Sequence, residues 1–436
     1  MKEVIFNIES LVCGIPLISI LMISHVYFTF KLKIPQRYML KGLKYMFFSD
    51  KKNSKEGISS FKSLMAVLAS TLGTGNIIGV ATAITIGGVG SILWIFISGL
   101  FGIATKYAET YIVLKYRKKD KNGKYYGGAM YVLRDKLKYI KLSKIFAIFL
   151  IITTFGMGAM IQSNAISTCI TSNYNVNIYL IAIFIVISCG YVLLGNEKRI
   201  ANISSILIPI ATIVYLVACF VLLYQYRQNI IPSIIQIVKS GLNIKSGLAG
   251  TICGPLGVSF VKTVSTGLSK GLFTNEAGMG TSPIFDVKVK EENITKQSII
   301  SSTSVFIDTV VLCTITGIVF VSTGMYKITT NPALIANYTF SILPYGKYIY
   351  IFMIVVFAIS TIPCSGYYGT VGVSFVKNDN LVWLKLYRIV FLACVFIGAI
   401  SKIEIIWSIS SISNALLVLP NIIMLFKLKN DMPSQS

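Results

Sequence analysis

The residues of this chain best suited to hold small polar species lie in one stretch, Ala69-Ser70-Thr71-Leu72-Gly73-Thr74-Gly75-Asn76-Ile77-Ile78-Gly79. Gly73 and Gly75 each weaken a helix by about 1 kcal/mol relative to alanine. Asn76 follows them, and Ser70, Thr71 and Thr74 add hydroxyls. A helix broken here offers N–H groups at the start of one half, which suit a carboxylate. It offers free carbonyls at the end of the other half, which suit a small cation. Close helix packing on Gly75 and Gly79 is the rival explanation. Gly73 beside Gly75 and Asn76 exceeds what packing needs.

Three further segments carry the same kind of chemistry. Lys262 to Pro283 is rich in glycine and polar residues, including Thr266, Gly267, Lys270, Gly271, Asn275, Glu276, Gly278 and Gly280. In Phe357 to Gly369 the vicinal Ser360 and Thr361 offer two hydroxyl oxygens to a monovalent cation, and Pro363 frees the carbonyl of Ile359. Hydroxyls bonding back to their own helix are the alternative there. In Phe155 to Asn164 the amides of Gln162 and Asn164 serve either a ligand or a neighbouring helix. Charged candidates are few. Lys106 and Glu109 are spaced to pair with each other. Asp308 and Glu276 could relay protons, and Asp308 could equally pair with Lys262 or Lys270.

The elements that must position these residues are membrane helices. Hydrophobic residues make up 54% of the 436 and charged ones only 13%, too few to cover a water-exposed surface. Apolar runs fall near 10–30, 61–86, 90–114, 145–170, 177–195, 203–225, 247–283, 299–323, 347–372, 383–400 and 403–426. The predicted fold is an all-α polytopic membrane protein with about eleven crossings, forming one domain over 1–436. The net charge of +24 collects in alternate connections, above all 31–62 and 115–144. That alternation places the N-terminus outside and the C-terminus in the cytoplasm. Scattered between apolar runs, the basic residues do not form a nucleic-acid face. The first run lacks the features of a cleavable signal. The two glycine-interrupted spans are five crossings apart. They divide the chain into two inverted repeats, 61–225 and 247–426, with 10–30 as an extra helix.

Eight cysteines occur singly and read as small packing residues. His25 is the sole histidine, which excludes a histidine-based metal site, and its position reads as interfacial. No phosphate-binding G-x-x-x-x-G-K-[ST] motif is present, so any coupling is to an ion gradient.

The same residues resemble the alanine or glycine:cation symporter family, the sodium:alanine symporters. Gly73 to Ile84 is similar to G-T-G-N-I-x-G-V-A-T-A-I. Lys106-Tyr107-Ala108-Glu109 with Lys115-Tyr116-Arg117 is similar to K-F-x-E…K-Y-R, and Gly127 to Tyr131 to G-G-P-M-Y. Gly156 to Asn164 is similar to G-x-G-N-M-x-Q-x-N, and Phe306-Ile307-Asp308-Thr309 to F-I-D-T. Gly271 to Gly280 resembles G-L-F-S-N-E-A-G-M-G, the most specific of the six. The resemblance implies a broken-helix, inverted-repeat transporter. It implies a substrate carboxylate at the backbone of Gly73, Thr74 and Gly75. Sodium is then held by carbonyls of Ala69 and Leu72 and by Phe357, Ser360 and Thr361, with Gln162 and Thr361 bordering the substrate. Thr71, Asn76, Thr266, Gly267 and Ser365 complete the candidate substrate-contacting set. Ser365 stands where the family pattern has Trp, a change expected to open volume for a larger or more polar substrate. Ala129 replaces a family Pro, and Ser265 lacks a basic side chain often found there.

The function expected is sodium-coupled import of a small neutral amino acid by alternating access, in the plasma (inner) membrane of a prokaryote. Proton coupling and a larger, more polar amino acid are the alternatives. No cofactor, nucleic acid or obligate protein partner is expected. A membrane-embedded enzyme needs a converging acid–base set, which this chain lacks. A channel needs a filter repeated around a pore, which one asymmetric pair of broken spans does not supply.

Overall fold

The computed structural model describes residues 9, 12–48, 57–121, 123–242, 259–401 and 404–433. The chain is helical almost throughout. In order run α1 (Ile15–Lys31), α2 (Met39–Phe48), α3 (Ser60–Thr71), α4 (Ile78–Gly87), α5 (Ser91–Lys115) and α6 (Ala129–Asp135). Next come α7 (Ile140–Thr171), α8 (Ile178–Leu193), α9 (Glu197–Gln225), α10 (Arg227–Gly241) and α11 (Phe260–Asn275). The rest are α12 (Pro283–Asp286), α13 (Ile294–Thr323), α14 (Pro332–Ser341), α15 (Gly346–Lys377), α16 (Leu381–Ile400) and α17 (Glu404–Lys427). A small antiparallel hairpin, β1 (Lys118–Lys119) with β2 (Tyr125–Tyr126), lies between α5 and α6.

Seven of these helices are long and apolar enough to cross a membrane by themselves: α5, α7, α9, α13, α15, α16 and α17. The shorter α1 and α8, the divided α3–α4 and α11 account for the other four expected crossings. The expected start of the seventh span, 247–258, lies outside the described residues. Both basic segments contain helix. Past Pro35 the chain turns by 66° into a helix that includes α2, and α6 follows the hairpin.

Burial separates central from peripheral helices. About two-thirds of the apolar windows of α5 and α15 is buried (67% each), against 22% for α16. The faces left open are apolar: Ile206, Ile210, Ile213, Val217 and Phe220 line one side of α9, and Leu180, Phe184, Ile187 and Tyr191 one side of α8. Such stripes at helical spacing are unfavourable in water and expected against lipid. α5 is the central post, with its most extensive contacts to α11 and α13.

The two divided spans start alike. Ser59 Oγ caps α3 by accepting from the Lys62 N–H, and Ser259 Oγ caps α11 by accepting from the Lys262 N–H, both at 3.3 Å. This shared Ser-x-x-Lys start is a residue-level echo between the two halves. His25 departs from the expectation of an interfacial residue. It is buried, with Nδ1 2.7 Å from Thr105 Oγ1 on α5, so it joins α1 to the central post.

Candidate functional site

α3 stops at Thr71, as its glycines require. Leu72 turns away from helix (φ −73°, ψ 74°), Gly73 is extended (φ −111°, ψ −155°), and Thr74–Asn76 make a single tight turn before α4 begins at Ile78. The carbonyls that α3 would have used next now point at α15. Thr361 Oγ1 lies 2.8 Å from the Ala69 carbonyl oxygen, 3.5 Å from that of Leu72 and 2.8 Å from that of Phe357. Ser360 Oγ donates to the same Phe357 oxygen at 2.8 Å. A hydroxyl carries one hydrogen. Two hydroxyl hydrogens therefore serve three main-chain carbonyls, leaving an oxygen-rich, donor-poor cluster with no formal charge. Hard oxygen donors of this kind fit a small alkali cation without a histidine or thiolate.

The other side of the break faces α7. Gln162 Oε1 accepts from the Thr74 N–H and from Thr74 Oγ1, each at 3.2 Å. The first N–H after the break is thus held by a neutral amide oxygen, the kind of acceptor that a carboxylate can replace. The backbone at Gly73 must come close. A Cβ there would lie 3.0 Å from Gln162 Oε1 and 3.2 Å from Thr361 Oγ1. Gln162 follows an eight-residue π-helical stretch, Thr154–Ile161, within α7. Such stretches recur at functional sites.

A cavity of about 110 Å³ reaches this break from the face that carries few basic residues. Its floor includes Thr74 and Ile78, and Asn164, Asn337 and Trp407 are in its walls. That is well below the roughly 300–1,000 Å³ of drug-sized pockets. The Trp407 ring packs on Phe273 at 5.7 Å between centroids, and Lys270 Nζ lies over both rings.

Ala69, Leu72, Gly73, Thr74, Gln162, Phe357, Ser360 and Thr361 therefore meet. The remaining candidates do not join them. Thr71 Oγ1 bonds back to Val67 and Leu68 of its own helix. Gly75 faces Thr274, and Asn76 Nδ2 donates to Asp308 Oδ1 at 2.6 Å. Thr266 and Gly267 lie inside the continuous helix α11. A Cβ on Gly267 would come 2.5 Å from the Ser91 carbonyl oxygen and from Trp94 Cβ, and Thr266 packs on Gly87. Both are packing residues at the α11–α5 seam.

Ser365 sits one turn from Thr361 in the α7–α15 seam. There a Cβ on Gly158 would be 2.3 Å from Ser365 Cβ. On its α7 side Ser365 therefore meets close-packed backbone and not open volume.

The second break falls within the expected segment, Lys262 to Pro283, at its far end. It spans Glu276–Ser282, beyond Thr266 and Gly267. Glu276 is left-handed (φ 53°), and Gly278 and Gly280 adopt φ of 96° and 71°. Lys106 and Glu109 do not pair with each other but tie this break. Lys106 Nζ donates to the Asn275 carbonyl at 3.2 Å and to Ser282 Oγ. Glu109 Oε1 accepts from the Gly280 N–H at 3.1 Å and from Asn421 Nδ2 at 2.5 Å, and Asn421 Nδ2 also donates to the Gly278 carbonyl at 2.9 Å. Asp308 is paired with Asn76 and with Thr309 Oγ1, not with Lys262 or Lys270. Sequence reasoning missed Trp407, Asn337 and Tyr368, whose hydroxyl lies 2.9 Å from Ser70 Oγ. Trp407, one of three tryptophans, was the one findable signal.

Two divided spans in one helical bundle, with a polar cluster at the interruption of the first, define a broken-helix secondary transporter. Solved structures agree on the fold. A Na+-coupled sialic acid symporter aligns with a TM-score of 0.59 over 90% of this chain and 82% of its own, at 13% identity. MhsT in complex with L-phenylalanine aligns with a TM-score of 0.60 over 88% and 94%, at 14% identity.

The sequence is more specific. A profile of the sodium:alanine symporter family matches residues 1–434, and this chain belongs to that family. The sodium/alanine symporter AgcS of Methanococcus maripaludis is 34% identical, covering 99% of this chain and 95% of that protein. An uncharacterized transporter of Haemophilus influenzae is 36% identical over 98% and 94%. A probable sodium/glutamine symporter of Bacillus subtilis, GlnT, is 28% identical over 94% and 85%. The chain is thus a multi-pass membrane transporter of the sodium-coupled amino-acid symporter class, not an enzyme.

Proposed function

We propose that this transporter imports a small neutral amino acid of the alanine or glycine kind together with sodium, by alternating access. The reading rests on one observation: three main-chain carbonyls from two helices converge on the hydroxyl of Thr361 at the break. Sodium takes those oxygens, with the Ser360 and Thr361 hydroxyls turned to present lone pairs. The substrate carboxylate takes the N–H groups of the Gly73–Thr74 turn, displacing the Gln162 carboxamide. Ion and substrate then organise the same half-turn of chain from opposite sides, which couples them. The small cavity beside Thr74 supports a small substrate, as does the tight seam at Ser365. The basic face is the cytoplasmic one by the charge rule, and the membrane is the plasma membrane of a prokaryote. No cofactor or protein partner enters this scheme.

Uptake of labelled alanine, glycine and glutamine into proteoliposomes under an inward sodium gradient is the direct test. The expectation is sodium-dependent accumulation of alanine or glycine ahead of glutamine. Thr361→Val should leave a folded protein whose sodium-stimulated uptake falls roughly 10- to 100-fold, the worth of a hydrogen bond or ligand to a charged group. Sodium-independent uptake, or normal coupling in the Val variant, overturns the assignment.

A further inference from the structure

Two cavities lie side by side on the basic face and share Lys119 and Lys288. The smaller, about 330 Å³, is lined by Lys119, Lys124, Lys198, Lys288 and Lys290, against the two carboxylates Glu197 and Glu292. Its walls come from four places: Gly57–Ile58 leading into α3, the β1–β2 hairpin, the first turn of α9, and the segment after α12.

These walls are fixed by main-chain contacts. The Ile58 N–H donates to the Lys288 carbonyl at 3.2 Å, and Ile58 pairs with Val289 as an isolated bridge. Arg117 donates to the carbonyls of Val289 (2.7 Å) and Glu291 (3.0 Å) and lies over the Tyr125 ring. The stem of Lys290 rests on Gly57, where a Cβ would come within 2.7 Å of Lys290 Cγ.

The cavity's lysines outnumber its carboxylates five to two. Among the described residues none of the five forms an ion pair. Nearby carboxylates are engaged elsewhere: Glu291 with Lys296, Asp135 with Lys118 and Arg134, and Asp120 with the Lys124 N–H. Lys288 is partly buried, and burial holds its ammonium below the usual lysine range. The charge rule accounts for lysines on this face, and Lys31, Lys33 and Lys41 show the ordinary outcome, an exposed residue. It does not account for five of them converging on one pocket.

We propose that this cavity binds a phosphate-bearing anion, either a phospholipid headgroup or a free phosphate compound, which clips the start of α9 to the basic-face end of the second divided span. Basic pockets at the cytoplasmic membrane boundary are suited to lipid phosphates. The phosphate would bridge Lys198 on the first turn of α9 to Lys288 and Lys290 on the segment after α12, two separate walls. It would thereby oppose parting of the α9 start from the segment after α12.

The test compares purified full-length protein with two variants. One is K198Q/K288Q/K290Q. The other is K31Q/K33Q/K41Q, which removes the same charge from the same face. Retention of phosphatidylglycerol against phosphatidylcholine is read by native mass spectrometry, and thermal stabilisation is read with inorganic pyrophosphate. If the ligand is a lipid, phosphatidylglycerol is retained selectively and its affinity falls roughly 100-fold in the cavity variant, about fivefold per lysine, but not in the control. If it is a soluble phosphate, pyrophosphate gives the shift and the cavity variant loses it. A K198R/K288R/K290R protein should keep either signal, which separates charge loss from misfolding. Equal loss in both glutamine variants, or no selective binding of either probe to the unaltered protein, overturns the proposal.

Discussion

The molecule interrupts two of its spans, and the two interruptions are held in opposite ways. The one at Leu72–Ile77 is met by neutral groups: a shared hydroxyl from Thr361 and a carboxamide from Gln162. The one at Glu276–Ser282 is met by Lys106, Glu109 and Asn421, all fully or almost fully buried. Neutral partners that share one hydrogen among several acceptors are exchangeable, because a cation or a carboxylate makes the stronger bond. Buried partners that each hold fixed main-chain groups are not exchangeable, because removing one leaves those groups unpaired. The first break is therefore a place where ligands can substitute for protein groups, and the second is a fixed corner. Repeat symmetry puts a break in each half; the partners decide what each break is for.

Lys106→Met tests the comparison most severely. It removes a buried ammonium whose hydrogen bonds are worth about 1.5–3 kcal/mol each. It also releases the Asn275 carbonyl and Ser282. The expectation is little or no monodisperse protein on size-exclusion chromatography, with any remnant melting far below the parent. A variant that melts normally and transports normally would show that the second corner is not locked by charge.

Gly73→Ala should act in the opposite way. Its Cβ would press on Gln162 and Thr361 from 3.0 and 3.2 Å, displacing the groups that define the ligand side while leaving the corner at Glu276–Ser282 intact. We expect KM for the amino acid and half-saturation for sodium both to rise at least about tenfold. The melting temperature should move by only a few degrees, since surrounding helices are unchanged. A large loss of stability with unchanged sodium affinity would reverse the roles assigned to the two breaks.

What could be read from the sequence follows the same division. The first break was legible because its cause is local: Gly73, Gly75 and Asn76 are consecutive or nearly so, and the crossing pattern needed only apolar runs and alternating charge. Ser360 and Thr361 were legible as hydroxyls at bilayer depth. The second break was legible only as lying somewhere in Lys262 to Pro283, because its exact position depends on partners far along the chain, Lys106, Glu109 and Asn421. The two π-helical stretches, Thr154–Ile161 and Phe306–Cys313, leave no local mark either. They depend on how α7 and α13 pack. Ser365 shows the same dependence: whether a small side chain leaves space is set by its neighbour, here Gly158 packed directly against it.

Gly267→Ala completes the comparison with the smallest effect. A Cβ there would meet the Ser91 carbonyl and Trp94 Cβ at 2.5 Å, so α11 and α5 must shift apart slightly. Overpacking of this kind costs about 1–3 kcal/mol. Because the seam lies in the continuous part of α11, the cost should appear as a lower melting temperature. Sodium half-saturation and the ranking of amino acids should stay as in the parent. Parallel melting and uptake measurements on one preparation decide it. A changed substrate ranking at unchanged stability would return Thr266 and Gly267 to the binding site. The ligand-exchangeable part of the molecule would then extend into the second divided span.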